Sequence, residues 1–245
     1  MPKFAADPTG QVPSTFGFSA VDISTLGSSE YTLVGIVTDC SGSVSSFARE
    51  EEAAIKEVVA SCRRSPRVDS LMLRFTRFDQ RLTENHGFKL LQDCNAADYD
   101  NSIPAGGSTA LYDACVDGID ALARYGRDLQ ANDLGANGIV FVITDGDDNA
   151  SKTTPGEVKK SVARALQSEN LESLVTILIG VNVTDTYMAQ KLKDFATAAG
   201  FTQFVNIGDA NEKTLAKLAA FVSKSISSTS QAIGSGGPSQ ALPTF

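Results

Sequence analysis

Tyr31 to Ser43 reads Y-T-L-V-G-I-V-T-D-C-S-G-S, and the change of character at Asp39 decides how the rest of the chain is read. Up to Thr38 the run is apolar and β-branched, the pattern of a strand buried on both faces. From Asp39 it turns polar and glycine-containing. While the chain is still extended, residues two apart point the same way. Asp39, Ser41 and Ser43 can therefore converge on one point, with Cys40 directed away from it into packed surroundings. Ser46 to Cys62 follows with Phe47, Ala54, Ile55, Val58, Val59 and Cys62 at helical spacing, so strand passes into helix.

The same alternation runs on in both directions. Leu71 to Phe78 (LMLRFTRF) alternates like a strand and leads through a turn at Glu84 to Gly87 into a second candidate, Phe88 to Leu91, which together predict a hairpin and an antiparallel edge. Leu111 to Ala123 is helical, Ile139 to Ile143 (IVFVI) is a buried strand, and Val158, Val162, Ala163 and Leu166 mark another helix. Leu174 to Ile179 is strand, Met188 to Ala199 helix, Gln203 to Ile207 strand, and Leu215 to Ile226 carries the stripe of a final helix. Strands alternating with crossover helices predict an α/β fold: a doubly wound, mainly parallel sheet of six strands with one antiparallel edge strand and helices on both faces. Residues 1–29, rich in Ser, Thr, Gly and Pro, are expected to form an irregular arm whose aromatics Phe4, Phe16 and Phe18 can dock on the core. Residues 30–226 form the domain, and the Ser/Gly-rich residues 227–245 are expected to be a flexible tail.

In doubly wound sheets ligands bind at the carboxyl ends of strands, where the strand order reverses. Polar clusters stand at such places here. Asp39-Cys40-Ser41-Gly42-Ser43 follows the first strand, and Thr144-Asp145-Gly146-Asp147-Asp148-Asn149 follows the Ile139 to Ile143 strand. Between them Gly106-Gly107-Ser108-Thr109 precedes a helix; its glycines permit a tight loop from which Thr109 can point towards the same strand ends. Hydroxyls and carboxylates are hard oxygen donors, suited to Mg²⁺, Mn²⁺ or Ca²⁺ rather than to soft metals. The plainer alternative is that Ser41 and Ser43 cap the following helix while the aspartates stabilise turns.

Composition narrows the functions open to the chain. Its 245 residues, 42% hydrophobic and 20% charged, suit one folded domain with two tails. A net charge of -8 disfavours nucleic acid and anionic lipid. Cys40, Cys62, Cys94 and Cys115 form no C-x-x-C pair, so free buried thiols and a reducing, cytoplasmic setting are expected. The first residues hold no apolar run of signal-peptide length, and no segment reaches the roughly 20 apolar residues of a membrane span.

Enzyme readings fare poorly. A haloacid-dehalogenase-type phosphatase needs a second acid where Ser41 stands, and a cysteine phosphatase needs an arginine where Ser46 stands. Gly106 to Ala110 lacks the second glycine and the preceding strand of a nucleophile elbow. There is no phosphate-binding G-x-x-x-x-G-K-[ST] loop. The one histidine, His86, falls in the expected hairpin turn, where it reads as a solvent-exposed residue rather than a catalytic base.

In order and approximate spacing, D-x-S-x-S after strand one, G-G-S-T-A-L-Y-D-A before a helix and I-T-D-G after a later strand resemble the metal-ion-dependent adhesion site of von Willebrand factor A domains. The resemblance spans Tyr31 to Ile226. It implies that Ser41, Ser43 and Thr109 supply oxygens to the metal, with Asp39 and Asp145 acting directly or through water. The extra Ser108 before the threonine departs from the pattern and makes Ser108 an alternative ligand; Asp147 and Asp148 read as supporting or surface residues. The implied function is non-enzymatic: a Mg²⁺-dependent module (or Mn²⁺/Ca²⁺) that binds a protein partner through an exposed Asp or Glu. The alternatives are a Mg²⁺-dependent phosphatase or hydrolase on a related sheet, or a structural subunit with a vestigial metal site.

Overall fold

Ten residues without a break, Glu30–Asp39, form the central strand β3, and every one from Tyr31 onward is buried. The computed structural model describes residues 11–13, 18–168 and 170–233. Around β3 stand β4 (Leu71–Phe78), β5 (Leu82–Leu90), β6 (Gly135–Thr144), β7 (Ser173–Gly180) and β8 (Gln203–Asn206). These are the six expected strands, all parallel except β5, which runs antiparallel to β4. Two short strands, β1 (Gln11–Pro13) and β2 (Ser19–Val21), extend the sheet to eight in the order β1-β2-β5-β4-β3-β6-β7-β8. From β3 the chain moves outward first through β4 and later through β6, so the strand order reverses between β3 and β6.

Helices cover both faces. α1 (Ala48–Cys62) and α5 (Glu212–Ile233) pack on one, where Ile55, Val59, Leu218 and Val222 meet Ile36, Phe75, Phe141 and Ile177. α2 (Leu111–Gln130), α3 (Pro155–Gln167) and α4 (Thr186–Ala199) cover the other, with Ile119, Leu122, Val158 and Leu192 against Leu33, Val37, Val140 and Leu178. Each such fully buried side chain contributes about 1.5–3 kcal/mol by leaving water. Local signals start and stop these helices. α3 opens on a capping box between Thr154 and Glu157 with Pro155 at its first position, and α4 opens on Asp185 and closes on Gly200 at φ 82°. Among the described residues no helix is long and apolar enough to cross a membrane.

Four expectations are corrected. The hairpin turns at Asp79 to Arg81, not at Glu84 to Gly87, and β5 begins at Leu82, because its first half is polar and gave no strand signal. His86 is therefore a strand residue, 8% exposed. Its Nδ1–H donates to the Gly87 carbonyl (2.9 Å) and its Nε2 accepts from the Tyr99 hydroxyl (3.0 Å). The boundary at 227 falls inside α5, where the Ser225 and Thr229 hydroxyls return to the carbonyls of Phe221 and Ser225 (2.9 and 3.0 Å), so a serine-rich segment stays helical. Residues 234–245 lie outside the described residues, as do Phe4 and Phe16.

The arm expected to be irregular contributes strand instead. Phe18 packs edge-on to Phe88 and Tyr125 (centroids 5.7 and 6.3 Å), and the Tyr125 hydroxyl donates to the Val21 carbonyl (3.0 Å). Glu84 accepts from the Ser19 backbone N–H (2.8 Å), and β2 lies so close to β5 that a Cβ on Gly87 would stand 1.7 Å from the Ser19 carbonyl oxygen. Only glycine permits that approach. Gly87→Ala is thus expected to detach β2 while the rest of the sheet holds. Hydrogen exchange should then rise by about tenfold or more at residues 19–21 and stay unchanged in β3; unchanged protection at 19–21 would contradict this packing.

Candidate metal centre

Parallel pairing of β3 with β6 sets Thr38 beside Ile143, so the next residues of the two strands, Asp39 and Thr144, emerge together at the carboxyl end of the sheet. Asp39 is 1% exposed. Its Oδ1 accepts from the Ser41 N–H (2.8 Å) and its Oδ2 from the Thr144 hydroxyl (2.7 Å). Burial raises its carboxyl to about 6; these hydrogen bonds oppose the rise and the charge of Asp145 adds to it.

Above Asp39 lies a row of oxygens drawn from two loops. Ser41 Oγ is 3.0 Å from Ser43 Oγ, which donates to Asp145 Oδ1 at 2.8 Å. Burial also raises the Asp145 carboxyl, against the Ser43 hydrogen bond. The third loop is tied to both of the others through its backbone. Gly106 N–H donates to the Cys40 carbonyl (2.8 Å), Gly42 N–H to the Gly107 carbonyl (3.1 Å), and the Asn149 and Ala150 N–H groups to the Thr109 carbonyl (2.9 and 3.1 Å). Asn149 Oδ1 accepts the Thr109 N–H in return (2.8 Å). Gly107 sits at φ 80° with the Gln80 side chain where a Cβ would go, and Gln80 Oε1 also accepts from the Ser108 N–H (2.8 Å).

The structure thus joins Asp39, Ser41, Ser43 and Asp145 in one hydrogen-bonded group and fastens the loop of Thr109, which is 5% exposed, to the loops on either side. Asp147 is ion-paired with Lys191, and Asp148 accepts from the Tyr112 N–H at the start of α2 (3.4 Å). Cys40 faces away into the core, where burial pushes its thiol up to about 12 and disfavours the thiolate. Among the described residues no three His, Cys, Asp or Glu side chains converge on a metal position. The candidate donors are hydroxyls as much as carboxylates. Ligands at about 2.1 Å around an octahedral cation stand about 3 Å apart, which the 3.0 and 2.8 Å spacings match. That is also a hydrogen-bond distance, so protons or a single cation can hold the row together.

Three supporting residues escaped the sequence reading. Thr144 and Asn149 are polar residues at a strand end and in a loop, with nothing in their type to mark them. Glu51 had a signal: it occupies the apolar stripe of α1 with Ala54, Ile55, Val58, Val59 and Cys62, and a carboxyl on such a stripe is an anomaly. It is 2% exposed, accepts from the Thr38 hydroxyl, and is driven by burial, with the charges of Asp39 and Asp145 adding, up to about 8.

No protein-family model matches the sequence, and no curated protein matches it. Solved structures do. The pilus adhesin SpaC of Lactobacillus rhamnosus GG aligns with TM-score 0.62 and 13% identity over 83% of this chain and 31% of its own. The PilB minor pilin of Streptococcus sanguinis gives 0.59 and 15% over 87% and 64%. Proximal thread matrix protein 1 of the mussel byssus, in a structure with a zinc-occupied metal-ion-dependent adhesion site, gives 0.54 and 18% over 79% and 47%. The chain spans from about a third to under two thirds of the length of these proteins. At such identities the likeness is one of fold, that of a von Willebrand factor A domain.

Glu51 sets a pH dependence. Its carboxyl titrates near 4.5 when unfolded and near 8 when folded, so between those values the native state holds a proton that the unfolded chain has lost. Stability therefore falls as pH rises through this window, by up to about 1.4 kcal/mol per unit. Glu51→Gln cannot ionise and keeps the acceptor for Thr38. Urea denaturation in EDTA should show the variant gaining on wild type by roughly 2–4 kcal/mol from pH 5 to pH 8; parallel curves would mean that Glu51 is ionised in the fold.

Proposed function

We propose that this chain is a protein-binding module of von Willebrand factor A type, in which Asp39, Ser41, Ser43, Thr109 and Asp145 hold one divalent cation and, through it, a carboxylate of a partner protein. The observation that carries this reading is the row Ser41–Ser43–Asp145, spaced like ligands around a small cation and set over the buried Asp39 where the strand order reverses. Both carboxylate oxygens of Asp39 are engaged by Ser41 and Thr144, which suits it to act through water and by its charge. Mg²⁺ fits this hard donor set best, with Mn²⁺ or Ca²⁺ as substitutes; Ser108, next to Thr109, is the alternative hydroxyl. When bound, the cation supplies a coordination position that neutral serine and threonine hydroxyls leave electron-poor, and an anionic oxygen of the partner gains most there.

The structural neighbours support binding over catalysis, being an adhesin, a minor pilin and a thread matrix protein. The side chains speak against hydrolysis as well. Cys40 is held as a thiol, and His86, on β5 two strands away from β3, is committed to Tyr99. A reducing, cytoplasmic setting belongs to the same proposal, supported by four cysteines that are all free and buried.

Calorimetric titration of the full chain should give one site for Mg²⁺ or Mn²⁺, weakened by about tenfold or more in Asp39→Ala and in Ser43→Ala. Ser43 is exposed, so its variant reports on the site and not on folding. Undiminished binding in both variants would remove these residues from the centre. Metal-dependent turnover of p-nitrophenyl phosphate, abolished in the same variants, would instead establish the hydrolase.

A further inference from the structure

Two large apolar side chains stand exposed among the described residues, Leu166 (58%) and Tyr187 (71%). They lie at opposite ends of the molecule. In a parallel α/β sheet each crossover helix begins at the carboxyl ends of the strands and finishes at the other end. Leu166 is in the last turn of α3, remote from the candidate centre, whereas Tyr187 is in the first turn of α4, on the end that carries it.

Helix spacing, one ion pair and a short stretch of loop link Tyr187 to the centre. Tyr187 and Lys191 are four residues apart on α4 and so neighbours on one helix face. The Lys191 ammonium is paired with the Asp147 carboxylate, and Asp147 is two residues beyond Asp145 in the loop after β6. Asp185 fixes the start of the helix by accepting the N–H groups of Tyr187 and Met188 (3.2 and 3.3 Å), so the ring is presented from a capped turn. On the same side of the loop Tyr112, partly buried, packs on the buried Phe195 (centroids 4.9 Å) and feels the charges of Asp147 and Lys191.

We infer that Tyr187 is the apolar anchor of the partner-binding face, and that the partner's segment joins to its metal-bound carboxylate an aromatic or aliphatic side chain that packs on this ring. The inference rests on the reading in the preceding subsection. Charge selects the direction of approach. Asp145, Asp147 and Asp148 make the loop after β6 acidic, and Lys191 neutralises Asp147 on one flank of it, which eases the approach of an anionic segment there. Tyr187 stands on that flank. An exposed tyrosine held on a capped helix offers a large contact area with few rotamers to freeze, the kind of residue that dominates binding energy at interfaces.

The test is selection of a phage-displayed random heptapeptide library on the immobilised full chain in Mn²⁺, with elution by EDTA. Wild type should enrich peptides that share an Asp or Glu and, at a fixed spacing from it, an aromatic or aliphatic residue. Tyr187→Ala should enrich acidic peptides with no apolar preference and bind the best wild-type peptide about tenfold more weakly, with Mn²⁺ affinity unchanged. Tyr187→Phe and the control Leu166→Ala should behave as wild type. Acid-only consensus from wild type, or an apolar preference that survives in Tyr187→Ala, overturns the anchor and leaves the metal reading standing. Enrichment indifferent to EDTA, or none at all, overturns the metal reading and the anchor with it.

Discussion

Removing the Asp39 carboxylate from water is costly unless the protein itself supplies donors. The two it receives arrive from different parts of the chain: the Ser41 N–H from the turn just beyond β3, and the Thr144 hydroxyl from the end of β6. Thr144 can serve only because β3 and β6 pair in parallel and in a register that brings their carboxyl ends level. That pairing in turn requires the long crossover through β4, β5 and α2 on one side before the chain returns to β6 on the other. A single buried charge thereby depends on the strand order, and the strand order places the polar loops of β3 and β6 side by side.

What surrounds that charge is rigid by mutual attachment. The three loops exchange backbone hydrogen bonds, so no side chain of the centre is positioned by its own loop alone. Glu51 completes the arrangement from beneath, where burial keeps it protonated near neutrality, so it braces Thr38, the residue before Asp39, without adding a third negative charge. Groups assembled before a ligand arrives lose less freedom when it binds. The alternative in which Ser41 and Ser43 merely cap a helix finds no support in the geometry: Ser41 makes no side-chain cap bond to the turn that follows, and Ser43 reaches across to Asp145 instead.

Legibility in the sequence followed the strength of local pattern. The β3, β6 and β7 runs are long, apolar and bounded by polar turns, so their strands and the D-x-S-x-S loop could be read directly. β5 could not, because Leu82 to Asn85 faces half-exposed surroundings and its alternation is broken by charged and polar residues; the misplaced turn then carried His86 out to solvent. The N-terminal strands were hidden for another reason: three residues leave no periodicity, and Ser19 to Val21 becomes a strand only because Gly87 lets it approach. Of the hydrogen-bonded group, Asp39, Ser41 and Ser43 were visible from their spacing and Asp145 from its place after a strand. The residues that orient them, Thr144 and Asn149, act through partners distant in sequence, and no one-dimensional pattern encodes that.

The attachment of β2 to β5 also governs how the molecule meets copies of itself. Without it, β5 would end the sheet as a nine-residue strand with open backbone donors and acceptors and with Phe88 uncovered, the kind of edge on which protein chains stack into aggregates. With it, the sheet ends in three residues on one side and in the four of β8 on the other, too short to template a partner strand. A fragment trimmed at residue 30, where apolar runs alone place the start of the domain, would keep Asp39, Ser41, Ser43, Thr109 and Asp145 and lose its colloidal protection.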